Sequence, residues 1–180
     1  MHIHDLIALP LPSSFYSLFE RISYGVPSAL WRDPTSLHLT LKYLGEISHA
    51  DEIDVKQILG TLDYPPFTLT IQGFTLLKSD SHTSLAVQIS PSQELNRLRS
   101  LILTELKEKN ITKEKESFTP HISLADIPPG PNQRLHEYLF DMQSYSFPQW
   151  AVDQVGFYQT YRTEKHIIYD LIETFYLKKE

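Results

Sequence analysis

The chain has 180 residues, a formal charge of −6 and no cysteine, which excludes disulfides, thiol nucleophiles and cysteine-based zinc sites. Its length suits one domain spanning residues 1–180, enough to bury about 70% of the surface of the unfolded chain. No run of clustered Lys and Arg is present, and the acidic balance argues against a protein that wraps extended duplex nucleic acid, because such affinity comes largely from basic clusters.

Residues 3–9 read as a strand. The apolar run 6–11 is too short for a membrane span and lacks the basic flank and small-residue cleavage site of a signal peptide, so a cytoplasmic location is expected. Ser13 or Ser14 caps a helix to about residue 23, and 24–36, with Gly25 and two prolines, forms a loop. A strand follows at 37–41. Ser48 with Asp51 three residues on makes a capping box, opening a helix that puts Ile53, Ile58, Leu59 and Leu62 on one face. Residues 67–73 alternate as a strand and 84–89 read as its hairpin neighbour. Ser92 begins a helix with Leu95, Leu98, Ile102 and Leu106 at helical spacing. A strand at 120–124, a short helix at 134–140 and closing strands at 147–157 and 166–177 complete the pattern, with no repeat or linker.

One short pattern occurs twice, as Leu37-His38-Leu39-Thr40-Leu41 and Pro120-His121-Ile122-Ser123-Leu124. In an extended strand residues i and i+2 share a face, so each copy presents an imidazole and a hydroxyl on one side and anchors Leu or Ile on the other. If the copies face each other across a cleft, the site can donate a proton, accept a proton and grip the oxygens of a phosphate. A bare His-x-Ser/Thr is a weak motif, and His82-Thr83-Ser84 is a decoy. It follows the polar run Lys78-Ser79-Asp80-Ser81, which reads as a hairpin tip, and its polar Thr83 breaks the apolar anchoring. His82 is therefore expected in an exposed loop.

Other histidines have weaker readings. His2-Ile3-His4 and His49-Ala50-Asp51 have ligand-like spacing, but one lies at the terminus and the other at a helix start where Asp51 has a capping role. No metal or other cofactor is expected. His136 falls on a helix face and His166 on a strand. Trp31, Tyr43, Phe118 and Tyr158 offer stacking surfaces for a base, although a large aromatic beside a strand is more often core. Lys42 faces the side of His38 and Thr40 only if the pleat stays regular.

The resemblance runs beyond these motifs. Trp31, the stretch 37–46 (Leu-His-Leu-Thr-Leu-Lys-Tyr-Leu-Gly-Glu), the stretch 118–125 (Phe-Thr-Pro-His-Ile-Ser-Leu-Ala), the opening 6–12, the strand 66–73 and the ending 152–169 together resemble the two-histidine phosphoesterases. The likeness is specifically to the RNA 2',3'-cyclic phosphodiesterase group, also called 2'-5' RNA ligases, over essentially the whole chain. It implies an α+β, bilobal fold in which two antiparallel sheets line a central cleft with helices outside. It also implies metal-independent hydrolysis of 2',3'-cyclic phosphate ends to 2'-phosphomonoesters by a monomer acting on a small cyclic nucleotide or an RNA 3' end. His121 is implied as base and His38 as acid, Thr40 and Ser123 as phosphate ligands, and Lys42, Tyr43 and Tyr158 are possible substrate contacts. Cleavage or joining of 2'-5' linkages, or a non-catalytic nucleotide-binding module, are the alternatives. One departure stands out: the family usually has Arg where this chain has Asp126. Either Asp126 opposes the substrate phosphate, or it holds a nearby Arg or Lys, with Arg32 a candidate compensating cation.

Overall fold

The computed structural model describes residues 3–112, 116–164 and 166–178. Strand β1 (Ile3–Pro10) leads through a 3-10 turn at Ser13–Phe15 into α1 (Tyr16–Ile22). A two-residue strand β2 (Leu30–Trp31) and a second 3-10 turn at Pro34–Ser36, capped by the Asp33 carboxylate, precede β3 (His38–Gly45). Helix α2 (His49–Gly60) opens on the expected Ser48–Asp51 capping box. Then come β4 (Phe67–Leu69), β5 (Ile71–Ser79), β6 (His82–Ile89) and α3 (Gln93–Glu108), the helix capped by the Ser92 hydroxyl. The chain finishes with β7 (His121–Ile127), α4 (Gln133–Met142), β8 (Trp150–Val152), β9 (Gln154–Arg162) and β10 (Ile167–Tyr176).

Two four-stranded antiparallel sheets dominate, ordered β10-β9-β1-β3 and β2-β7-β6-β5, beside a small β4–β8 pair. The fold is therefore α+β with antiparallel sheets, as the resemblance implies. Two expected strands are each divided. Residues 67–73 break at Thr70, where the chain leaves the small pair for the large sheet, and 147–157 break at Asp153 for the same reason. Alternation alone does not reveal such a change of partner, because the side-chain period is the same on both sides of it.

One large core joins the sheets. Ile7, Leu9, Leu39 and Leu41 from one sheet meet Val87, Ile122 and Leu124 from the other, and helices α2 and α3 close over them with Val55, Leu59, Leu95, Leu98 and Ile102. The α3 side chains spaced for a helix are the ones buried, each contributing about 2 kcal/mol of apolar burial. Since this face of both sheets is sealed by helices, the opposite faces are left for the His and hydroxyl side chains. No helix among the described residues is long and apolar enough to cross a membrane.

Candidate active site

Both copies of the repeated motif lie at sheet margins. β3 is the outer strand of its sheet, and β7 is flanked by β2 only at Ala125 and Asp126, which leaves its His121 end uncovered on that side. β3 and β7 pack together there. Register fixes the faces: Pro10 pairs with His38 and Ala8 with Thr40, whereas Leu9 pairs with Leu39 in the core. On the other sheet Gln88 pairs with His121 and Ala86 with Ser123, while Val87 and Ile122 enter the core.

The two histidines are held alike. His38 Nδ1 lies 2.8 Å from the Ser36 carbonyl oxygen, and His121 Nδ1 lies 2.8 Å from that of Thr119, each two residues upstream. A carbonyl only accepts, so Nδ1 donates in both, and each neutral ring is fixed in the tautomer with its lone pair on Nε2. Their surroundings differ. His38 is 7% exposed, with its ring centroid 5.0 Å from that of Tyr158 and 4.7 Å from that of Tyr169. Burial pushes its pKa down to about 4; the Ser36 hydrogen bond opposes the shift, and the positive charges of Arg32 and His121 add to it. His121, Thr40 and Ser123 are half-buried. Gly156 is needed behind this wall: a Cβ there would come within 2.8 Å of the Tyr158 ring and 2.7 Å of Leu171.

The pleat does not stay regular beyond either motif. The β1–β3 register passes from Ala8–Thr40 to Ile7–Lys42, and the β6–β7 register from Ala86–Ser123 to Leu85–Ala125, so Leu41 and Leu124 are the extra residues of two matching bulges. The first bulge removes the regular pleat on which a shared face for Lys42, His38 and Thr40 depends, and the burial of Lys42 rules out a solvated surface role as well. Lys42 pairs in register with the core residue Ile7, is 5% exposed, and its Nζ lies 2.6 Å from Glu116 Oε1. Tyr43 takes the other face, 49% exposed and stacked on His4 with a hydrogen bond between its hydroxyl and His4 Nδ1. Tyr158 is buried with Leu6 and Ala8 against His38, so it is a wall of the site rather than an open stacking surface. Trp31 donates from Nε1 to the Val26 carbonyl, and Phe118 lies under the Arg99 guanidinium.

The decoy histidine is not in a loop. The hairpin is tight enough for Ser79 to pair with His82, so His82 begins β6, and its Nε2 lies 3.1 Å from Asp126 Oδ1. The same carboxylate oxygen is 3.6 Å from an Arg32 nitrogen. Asp126 therefore holds an arginine, as the second reading of that position expects. His136 lies on α4, and His166 just precedes β10 rather than lying within it. His49 sits beside Glu52 at 3.6 Å and Asp51 is occupied by its cap; His2 lies outside the described residues. Among the described residues, no three His, Asp or Glu side chains gather in a way that could hold a metal ion.

Sequence reasoning missed Tyr169. Its approach to His38 depends on β10 pairing with β9 and β9 with β1, a long-range arrangement without a local signal. The anchoring carbonyls were also missed, although a residue two before each histidine is a position that could have been examined.

Residues 17–164 match the model of the 2'-5' RNA ligase superfamily. An RNA 2',3'-cyclic phosphodiesterase of Aquifex aeolicus is 27% identical over 173 residues, covering 91% of this chain and 92% of that protein. An RNA 2',3'-cyclic phosphodiesterase of Archaeoglobus fulgidus is 22% identical, covering 84% and 85% respectively. Among solved structures, E. coli LigT complexed with 3'-AMP superposes with a TM-score of 0.76 at 18% identity, covering 99% of this chain and 100% of that one, a likeness of fold.

Proposed function

Since this chain belongs to the 2'-5' RNA ligase superfamily, we propose that it hydrolyses 2',3'-cyclic phosphate ends of nucleotides or RNA to 2'-phosphomonoesters with His38 and His121 as its acid–base pair. The observation that carries this reading is the matched pair of Nδ1–carbonyl anchors, which leaves the Nε2 atom of each of two rings on adjoining strands available for proton transfer. Relatives named RNA 2',3'-cyclic phosphodiesterase support the substrate class.

In the reaction a water molecule attacks phosphorus as its proton passes to His121 Nε2. The bond from phosphorus to the ribose 3'-oxygen breaks, and His38 Nε2–H delivers the proton that this oxygen needs. Thr40 and Ser123 donate hydroxyl hydrogens to the non-bridging oxygens, where charge builds in the transition state. His38 is neutral in the free protein near pH 7 because burial holds its pKa low. The anionic phosphodiester is the charge that draws a proton onto it, since a nearby negative charge favours the cationic form. The reading takes the chain to act as a cytoplasmic monomer without a cofactor, on a cyclic mononucleotide or an RNA 3' end.

The test is a panel of 2',3'-cyclic nucleotides, cyclic-ended RNA and 2'-5' oligoadenylate, assayed with product identification. A 2'-phosphomonoester from the cyclic substrates is the expected result. Turnover of the 2'-5' oligonucleotide alone, or of nothing in the panel, would overturn it.

A further inference from the structure

Beside the histidines lies a groove of about 650 Å³, a volume ordinary for a small-molecule site. His38, Thr40, His121 and Ser123 do not line it. It meets their site at Ser36, whose carbonyl anchors His38, and at Tyr169, whose ring lies against His38. Its wall gathers large apolar side chains left open to solvent, namely Tyr24, Leu30, Ile167 and Ile168. Apolar surface concentrated beside a polar site marks a place for a ligand more often than chance exposure does.

A cation completes the wall. The Arg32 guanidinium carbon lies 5.1 Å from the Tyr169 ring centroid, and one of its nitrogens is 3.6 Å from Asp126 Oδ1. The groove's other carboxylate, Asp33, is turned back on its own turn, where Oδ1 accepts from the Thr35 nitrogen at 2.8 Å and hydroxyl at 2.7 Å. Asp126 is shared between Arg32 and His82, so it positions the guanidinium from the opposite sheet without using up its five donors. A cyclic mononucleotide has one phosphate, and Thr40 and Ser123 suffice for it. This cation, one side chain removed from His38 across Tyr169, matches a second phosphate.

We infer that this groove is the subsite for the nucleotide preceding the cyclic end of an RNA chain, its base against the apolar wall and its bridging phosphodiester on Arg32. The inference rests on the proposed hydrolysis for its orientation and extends it: the substrate is an oligonucleotide end rather than a free cyclic nucleotide. Arg32 is then a specificity-determining residue and Asp126 a positioning residue.

The test reads binding separately from turnover. Titration calorimetry compares 2'-AMP with the adenylyl-(3'→5')-adenosine dinucleotide that carries a 2'-phosphate at its end. Stacking one further base and engaging one further phosphate should tighten binding about tenfold or more, and the gain should shrink in high salt. Arg32→Ala should bring the two affinities close together, Arg32→Lys should keep part of the preference, and Asp126→Asn should lower it by freeing the guanidinium. Equal affinities in the wild-type protein would overturn the inference without any variant, as would an Arg32→Ala protein of native melting temperature that keeps the full preference. Hydrolysis of adenosine 2',3'-cyclic phosphate is assayed in parallel. Absence of turnover with the dinucleotide preference intact would count against the proposed reaction and not against the groove.

Discussion

The β3 and β7 copies of the motif share a backbone and differ in surroundings. Each carries a histidine anchored by the carbonyl two residues upstream, a hydroxyl two residues on, and a bulge at the following leucine. Beyond the bulges they diverge, with Lys42 and Tyr43 in one and Ala125 and Asp126 in the other. His38 is enclosed by Tyr158 and Tyr169, while His121 stays half-buried. The local pattern sets where each imidazole points, and strands distant in sequence set how deeply it is enclosed. One motif used twice thus places one imidazole in a closed setting and the other in a half-open one.

The comparison is broken most directly at the rings. His38→Ala and His121→Ala should each lower kcat on a cyclic nucleotide about 10²- to 10⁴-fold, roughly 3 to 5 kcal/mol of barrier. If either variant kept wild-type turnover, the copies would not form one acid–base pair. Removing a hydroxyl should cost somewhat less. Thr40→Val and Ser123→Ala should each reduce kcat about 10²-fold if the donor meets charge that develops in the transition state. A rise in KM with kcat intact would mean that the hydroxyl only binds the ground state.

The unequal burial can be sharpened by pH. An unfolded histidine takes up its proton near 6.5, whereas folded His38 resists until about 4. Across that window the unfolded state binds more protons, so stability is complete above about 6.5 and declines as pH falls toward 4. The loss is of order 3 kcal/mol. Melting temperatures followed over this range should fall more steeply for the wild type than for His38→Asn, and parallel curves would remove the contrast between the copies. The rate responds in the opposite sense: His38 must carry its proton to act as the acid, so its titration in the free protein should lower kcat/KM as pH rises above about 4.

The smallest effect concerns the bulge. Lys42→Met breaks a pair between a buried amine and a half-open carboxylate, so it should cost about 1 to 2 kcal/mol of stability. Its kcat/KM should remain near wild type because the bulge turns Lys42 toward the core. A large loss of activity in a stable Lys42→Met protein would return Lys42 to the cleft.

Elements with local chemistry were legible in the sequence. The Ser48–Asp51 box, the Ser92 cap, the apolar stripe of α3 and the two His-x-hydroxyl strands all follow from residues near one another in the chain. What depends on distant pairing was not. The face taken by Lys42 was open in the sequence because one extra residue reverses a face and leaves no mark on the alternation of the strand itself. His82 is exposed as expected, but its place at the start of a strand was not legible, because the length of a hairpin turn decides where pairing starts. The low pKa of His38 comes from burial against two tyrosines more than a hundred residues downstream, which no spacing around His38 announces.

The strand order β10-β9-β1-β3 has a consequence for how the protein is made. The first strand of the chain sits between β3 and β9, so during synthesis the His38 motif can pair with β1 long before β9 and β10 exist. Until those last strands dock, His38 has no tyrosine wall, since Tyr158 and Tyr169 lie on β9 and β10. Closing the sheet requires contacts between the beginning and the end of the chain, a slow class of folding event because loop closure must precede any stabilising contact. The nascent protein therefore carries the residues of its site well before it encloses them.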